Sequence, residues 1–262
     1  MMGTGDVGVV GVLLSLLLVA VAIGLSRWRG LRLEGQIAGS VARAIVQLLV
    51  VGVGLTLVID PERPMVWSWV WVVAMLIYAG DVVRRRSPQI PRLWPLTIVA
   101  FSVTTAVSLG VVFGLGIFPQ EGRTVVPLAG LMVGNAMNAT VLVSQRAVDE
   151  LRDKRLEVET RVALGHTARR AARPYLMVAL RTALVPQIET TRAVGLVFLP
   201  GAMTGLILAG VHPIDAVMVQ AVVMFLVLGA AATNATTITL GLTTRLFTPD
   251  DRPISLVAPH GT

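Results

Sequence analysis

Seven apolar runs separated by short polar or proline-bearing segments set the rhythm of this chain. They occupy residues 7–26, 37–59, 65–83, 95–118, 124–144, a stretch ending near residue 209, and 214–243. Each is close to the about 20 mostly apolar residues that a helix needs to cross a bilayer. The pattern predicts an all-α, polytopic membrane bundle of about seven transmembrane helices. One domain is expected over residues 1–245, with a charged cytoplasmic segment at 146–173 and a cytoplasmic tail at 246–262.

One run is interrupted. In "GLVFLPGAMTGLILAG" (195–210), Pro200 and Gly201 stand at the centre of an otherwise membrane-compatible sequence. Proline removes a backbone donor and clashes with the preceding turn, and glycine weakens what remains of the helix. Irregular backbone at membrane depth is tolerated only where it is buried in protein or lines a cavity. A kink or broken turn is therefore expected here, with Met203 and Thr204 beside it; it either borders a passage or only aids packing. Because the chain from 174 to 209 is too long for one perpendicular helix, its first half is expected at the cytoplasmic surface and the half beyond Arg192 is expected to span.

The charge pattern orients the runs. The chain carries 22 Lys and Arg, a net charge of +7 and only 14% charged residues, against about 25% in water-soluble domains. Arg27, Arg29 and Arg32 follow the first run, "RRRSPQIPR" (84–92) follows the third, the 146–173 region follows the fifth, and Arg245 and Arg252 follow the seventh. The opposite loops hold only Arg63 and Arg123. Basic residues mark the cytoplasmic side of membrane helices, so the N-terminus is expected outside and the C-terminus inside, in a multi-pass protein of the cell (inner) membrane. The first run is not read as a cleavable signal, since Asp6 precedes it and arginines follow it. Basic residues distributed this way write membrane topology, and no nucleic-acid partner is expected. Trp67, Trp69 and Trp71 fall near the outer end of the third run, where indoles favour the interface.

The segment between the fifth and sixth runs reads as helix up to Leu164, with Glu150–Lys154 and Glu157–Arg161 as i,i+4 pairs. Val148, Leu151, Val158 and Val162 form a narrow apolar stripe on it. Gly165, His166 and Thr167 break the pattern, and a short basic helix, 168–173, follows.

Candidate chemistry is sparse. The chain has no cysteine, which excludes thiolate metal sites. His166, His212 and His260 have no metal-ligand spacing, and no GxxxxGK[ST] sequence is present. No carboxylate stands clearly in mid-membrane, where proton-coupled carriers commonly keep one. Uncharged polar groups are there instead. Ser40, Arg43 and Gln47 share one helix face, Asn135 and Asn138 are three apart, and Asn234 and Thr237 belong to a hydroxyl-rich last run. Such side chains face other helices or a wet cavity rather than lipid; either role suits them, and Arg43 can also snorkel to the interface. Met132, Met137, Met203, Met218 and Met224 are soft ligands in principle, but methionine more often fills gaps.

These motifs form a set. "RAIVQLLVVGVGL" (43–55), "PLAGLMVGNAMNA" (127–139), "VETRVALG" (158–165) and the stretch 181–217, with "LPGAMTG" inside it, resemble the FetB-type permeases. These are membrane subunits of a small ABC transporter group linked to iron export, with plant relatives connected to aluminium tolerance. The resemblance implies a permease with no ATP-hydrolysing motif or cofactor of its own. A separate ATPase subunit, present in two copies, would bind ATP and Mg. The permease would work as a homodimer in membrane lipid. The spacing from Glu159 to Gly165 resembles the E-A-A-x-x-x-G loop of ABC permeases, with Thr160 and Arg161 in place of the alanines. It implies an ATPase-coupling element made of Val158, Glu159, Val162, Leu164, Gly165 and His166. The expected translocation pathway comprises Arg43, Gln47, Asn135, Asn138, Pro200, Gly201, Met203, Thr204, Asn234 and Thr237. A metal site is left unassigned, and the substrate is a metal ion such as iron or a small polar solute. A channel or secondary carrier working without an ATPase, and a membrane scaffold with no transport role, are the competing readings.

Overall fold

In a computed structural model, residues 9–58, 63–195 and 199–248 are described, and nine helices are found among them. They are α1 (Val9–Trp28), α2 (Glu34–Val58), α3 (Val66–Arg86), α4 (Leu93–Gly114), α5 (Gly122–Asp153), α6 (Arg155–Ala163), α7 (Ala168–Ala193), α8 (Gly201–Leu208) and α9 (Pro213–Leu246). Most of the tail expected at 246–262 and the first eight residues lie outside the described residues. The all-helical architecture agrees with the reading of the sequence.

Helix α5 is the axis of the bundle, packed against α3, α4, α7 and α9. The contact surfaces are built from small residues: Ala136, Ala171, Ala172, Ala179, Ala230, Ala231 and Ala235 are all fully buried. Between membrane helices the lipid tails are as apolar as the protein, so association rests on close van der Waals approach, which small side chains permit. At the α4–α9 crossing, a side chain at Gly241 would collide with Leu96. Helices α1 and α2 stay outside this bundle, and nothing in the spanning window of α2 is buried. Their connection is held by Ser26, whose Oγ accepts from the Leu33 amide at 3.1 Å and donates to Glu34 Oε1 at 3.2 Å.

Helix directions follow from who meets whom. The end of α7 that contains Tyr175 lies by Glu157 of α6, just past the end of α5. The 183–190 stretch of α7 shares a groove with the 135–142 stretch of α5. These two helices are therefore antiparallel. Residues 167–177 of α7 line one hollow with 239–243 of α9, so that pair is antiparallel too, and α5 and α9 are parallel. Gln145 Nε2 donates to the Arg86 carbonyl at 2.9 Å, which brings the triple arginine ending α3 to the same end. Arg84, Arg85, Arg86, Arg146, Arg155, Arg161, Arg169, Arg170, Arg173 and Arg245 consequently gather at one basic end of the bundle.

Among the described residues, six helices are long and apolar enough to cross a membrane: α1, α2, α3, α4, α5 and α9. The crossing expected to end near residue 209 differs. Between α7 and residue 209 the described chain forms only α8, whose 8 residues cover about 12 Å at about 1.5 Å per residue, too little to span. Since α5 and α9 are parallel, the chain between them must return through the bundle, and α7 does most of it despite Arg173, Arg181, Glu189 and Arg192. Thr190 stands beside Asn135, so α7 stops alongside the middle of α5 instead of reaching the level of Gly122. Pro200 is the N-cap of α8, with φ −62° and ψ 147°, which makes the expected break a true interruption. The sixth traverse thus comprises the long helix α7 and the short helix α8, separated in sequence by residues 194–200.

Candidate functional site

Two regions concentrate the residues singled out in the sequence. The first is a groove between α5 and α7, alongside the middle of the membrane-length helix α5. Asn135 and Asn138 fall on an outward stripe of α5, 13 and 16 positions into its 32 residues. Facing them on α7 are Ala183, Pro186, Gln187 and Thr190, and Ala139 and Leu142 complete a hollow of about 190 Å³. Asn135 Nδ2 donates to the Leu131 carbonyl at 2.8 Å, and Thr190 Oγ1 donates to the Pro186 carbonyl at 2.8 Å. The Asn135 amide oxygen and the whole Asn138 amide make no side-chain hydrogen bond among the described residues. Pro186 brings no N–H, so the helix ladder lacks the donor that would otherwise serve the Thr182 carbonyl. The groove therefore offers amide oxygens and hydroxyls, all uncharged. Of the charges flanking it on α7, Glu189 and Arg192 are paired at 2.7 Å, and Arg181 is exposed.

Gln187 and Thr190 were not foreseen. The signal was present in "PQIETT": two polar residues three apart share a face, and the proline marks a weakened helix. Arg181 and Arg192 flank it, and arginines ordinarily mark the cytoplasmic surface.

The other expected pathway residues go elsewhere. Arg43 and Gln47 lie exposed on α2, and Gln47 Nε2 meets Tyr78 Oη of α3 at 3.1 Å. Pro200, Gly201, Met203 and Thr204 are on α8, which packs on α9; Thr204 Oγ1 donates to the Pro200 carbonyl at 3.2 Å. Thr237 Oγ1 is bound to the Thr233 carbonyl at 2.8 Å. Asn234 is fully buried in a relay through three helices. Thr104 Oγ1 of α4 donates to Asn234 Oδ1 at 3.2 Å, Asn234 Nδ2 donates to Thr140 Oγ1 of α5, and Thr140 Oγ1 donates to the Ala136 carbonyl at 2.7 Å. Every buried polar atom in that relay has a partner, as a dry helix junction demands. Among the described residues there is no group of three or more His, Cys, Asp or Glu able to hold a metal ion.

The second region is the hinge at the basic end. The helix expected to run unbroken to Leu164 ends at Asp153 and restarts at Arg155 as α6. The ion pairs are accordingly Arg146–Glu150, Lys154–Glu157 and Arg155–Glu159, not Glu150–Lys154 and Glu157–Arg161. The basic helix foreseen at 168–173 is the opening of α7. Glu157 ties α6 down: Lys154 Nζ and Tyr175 Oη each donate to it at 2.8 Å. The Lys154 hydrogen bond, joined by that of Tyr175, holds the Glu157 carboxyl below its ordinary range, and Glu157 in turn raises Lys154. Arg161 stacks on the Tyr175 ring at 5.8 Å.

The apolar stripe on this segment faces the chain's own bundle. Val158 is only 1% exposed, Val148 and Leu151 are buried, and Val162 is half-buried against the core. The apolar groups that point outward are Leu156, 80% exposed, and Leu164, 76% exposed. Glu159 and His166 are exposed as well. Gly165 has φ +89°, a left-handed conformation that glycine adopts without the Cβ penalty and that closes helix C-termini.

The comparisons with known proteins agree over nearly the whole length. A family model described as "Uncharacterised protein family (UPF0014)" matches residues 9–247. The chain is 36% identical to "UPF0014 membrane protein STAR2" of Oryza sativa subsp. japonica over 83% of its length and 76% of that protein. It is 34% identical to "Protein ALUMINUM SENSITIVE 3" of Arabidopsis thaliana, covering 86% of this chain and 82% of the relative. It is 32% identical to "Probable iron export permease protein FetB" of Escherichia coli (strain K12), over 89% and 90%. No solved structure matches the chain significantly. With its all-helical bundle, its membrane-length helices and this match over residues 9–247, the chain belongs to the UPF0014 family of membrane proteins.

Proposed function

We propose that this chain is the transmembrane permease subunit of an ABC-type transporter of the inner membrane, exporting a metal ion such as iron or a small polar solute. A separate ATPase, in two copies, binds ATP and Mg and docks at the hinge. The observation that carries the reading is the pairing, in one bundle, of an uncharged polar groove at membrane depth with an exposed hinge helix at the basic end. Irregular and polar structure within a bilayer is tolerated where it lines a cavity, and the groove meets that condition.

Leu156 and Leu164, with Glu159, Gly165 and His166, form the docking face; Val158 and Val162 hold α6 to α7 so that movement of the docked ATPase reaches the bundle. The permease works as a homodimer whose second copy closes the open side of the α5–α7 groove. Asn135, Asn138, Gln187 and Thr190 line the passage, whereas Asn234 and Thr140 hold its wall together. Hard cations prefer carboxylate oxygens, and the groove supplies amides and hydroxyls, so the cargo passes as a hydrated or complexed species. The N-terminus lies outside and the basic end faces the cytoplasm.

The test is transport in vesicles holding the permease with and without its partner ATPase. Flux is expected only with both and with ATP. Leu164→Glu should abolish ATPase co-purification, whereas Asn138→Ala with Gln187→Ala should reduce flux and leave co-purification intact. Flux by the permease alone would instead identify a channel or secondary carrier.

A further inference from the structure

Outside both regions, the basic end carries a hollow whose chemistry neither of them uses. It is about 670 Å³ in volume and lies between the start of α7 and the end of α9. Arg169, Arg170 and Arg173 line one side; all three are exposed, and no described residue forms an ion pair with them. Thr167, Thr239 and Thr243 add hydroxyls, and among the described residues no carboxylate contributes to the lining. The apolar part of the lining is made by Leu176, Met177 and Leu240. A second hollow of about 600 Å³ shares Arg169, Leu240 and Thr243 and continues to Phe247.

Its depth is fixed by the two helices. The arginines occupy the first two turns of α7, and Leu240 lies less than two turns from the end of α9. The cationic side is therefore level with the charged end of the bundle, and the apolar wall is one turn further into the spanning region. A cluster of guanidinium groups that no described carboxylate pairs attracts an anion, and guanidinium matches phosphate oxygens in geometry. Anionic lipid headgroups bind in basic pockets between membrane helices on the cytoplasmic side. An inorganic anion would leave the apolar wall in contact with water, whereas a phospholipid covers it with the upper part of its acyl chains.

We propose that this hollow is a binding site for the phosphate headgroup of an anionic phospholipid, held by Arg169, Arg170 and Arg173 with its acyl chains along Leu176, Met177 and Leu240. Its place at the start of α7 links the lipid to the helix that carries Gln187 and Thr190.

The test follows thermal unfolding of the full chain in a non-ionic detergent as phosphatidylglycerol, phosphatidylcholine of the same chain length, or inorganic phosphate is added. A rise in unfolding temperature is expected with phosphatidylglycerol alone. It should be lost in Arg170→Gln/Arg173→Gln and kept in Arg84→Gln/Arg85→Gln, whose arginines pair with Asp81 on α3. A second variant, Leu240→Trp, obstructs the apolar wall with the arginines intact and should also abolish the rise. An equal rise with phosphate would transfer the site to a soluble anion and overturn the lipid assignment. A rise that survives Arg170→Gln/Arg173→Gln, or that disappears equally in Arg84→Gln/Arg85→Gln, would mark a general surface-charge effect and overturn the site. No rise with any addition would overturn it as well.

Discussion

Asn138 and Asn234 are both asparagines in apolar helices, and their surroundings separate them. Asn234 sits where α4, α5 and α9 meet, with its amide group engaged at both ends by Thr104 and Thr140. Removing one partner from such a junction leaves buried polar groups unsatisfied, at a cost of about 1–3 kcal/mol. Asn234→Ala should therefore lower the unfolding midpoint measured in detergent, while Asn138→Ala, on the open stripe of α5, should leave it nearly unchanged. Sequence pattern places both residues off the lipid face but does not rank them. Their spacing is set by their own helices, and the neighbours that satisfy Asn234 come from residues 94 and 130 positions away.

At the scale of elements, α6 is the piece that is held by side chains rather than by a long packed face. Its clasp, Glu157 between Lys154 and Tyr175, is charge-assisted and depends on pH. The lowered Glu157 means that its contribution is present above the ordinary carboxylate pKa of about 4.3 and is lost as pH falls through the depressed value. The raised Lys154 means that its contribution is present below about 10.4 and is lost as pH rises through the folded value. The protection of the α6 amides, measured as exchange relative to the unfolded chain at the same pH, should thus be greatest between about pH 5 and 10 and fall at both extremes. Glu157→Gln should abolish the acid limb, because a neutral amide has no proton to gain. The sequence stripe predicts a buried face on this segment; the fold adds that the burying surface is the chain's own α7.

Across the whole molecule, the parallel course of α5 and α9 forces a return path between them, and α7 with α8 provides it in interrupted form. Glycine, proline and polar residues are expensive against lipid and acceptable against protein or water. The open α5–α7 groove is where the bundle exposes them. The chain has no cysteine, so single introduced thiols report directly. Gln187→Cys should react with a membrane-impermeant maleimide in vesicles, while Thr140→Cys, at a buried position, should remain unlabelled until the protein is unfolded. Protection of both positions would show the groove to be dry.

The sequence by itself determined the solvent this protein lives in, six of its membrane-length helices, the clustering of its arginines and the interruption at Pro200. Each of these is written in local composition: a run of about twenty apolar residues suits a bilayer, and a proline followed by glycine weakens a helix by removing an N–H and adding backbone freedom. Only the tertiary structure decided that α7 stops halfway along α5, that Gln187 and Thr190 join Asn135 and Asn138, that Asn234 is a structural junction, and that Leu156 and Leu164 rather than Val158 face outward. Those outcomes depend on which helix lies beside which, and helix neighbours in a membrane are chosen by small-residue packing and hydrogen-bond satisfaction between segments far apart in sequence.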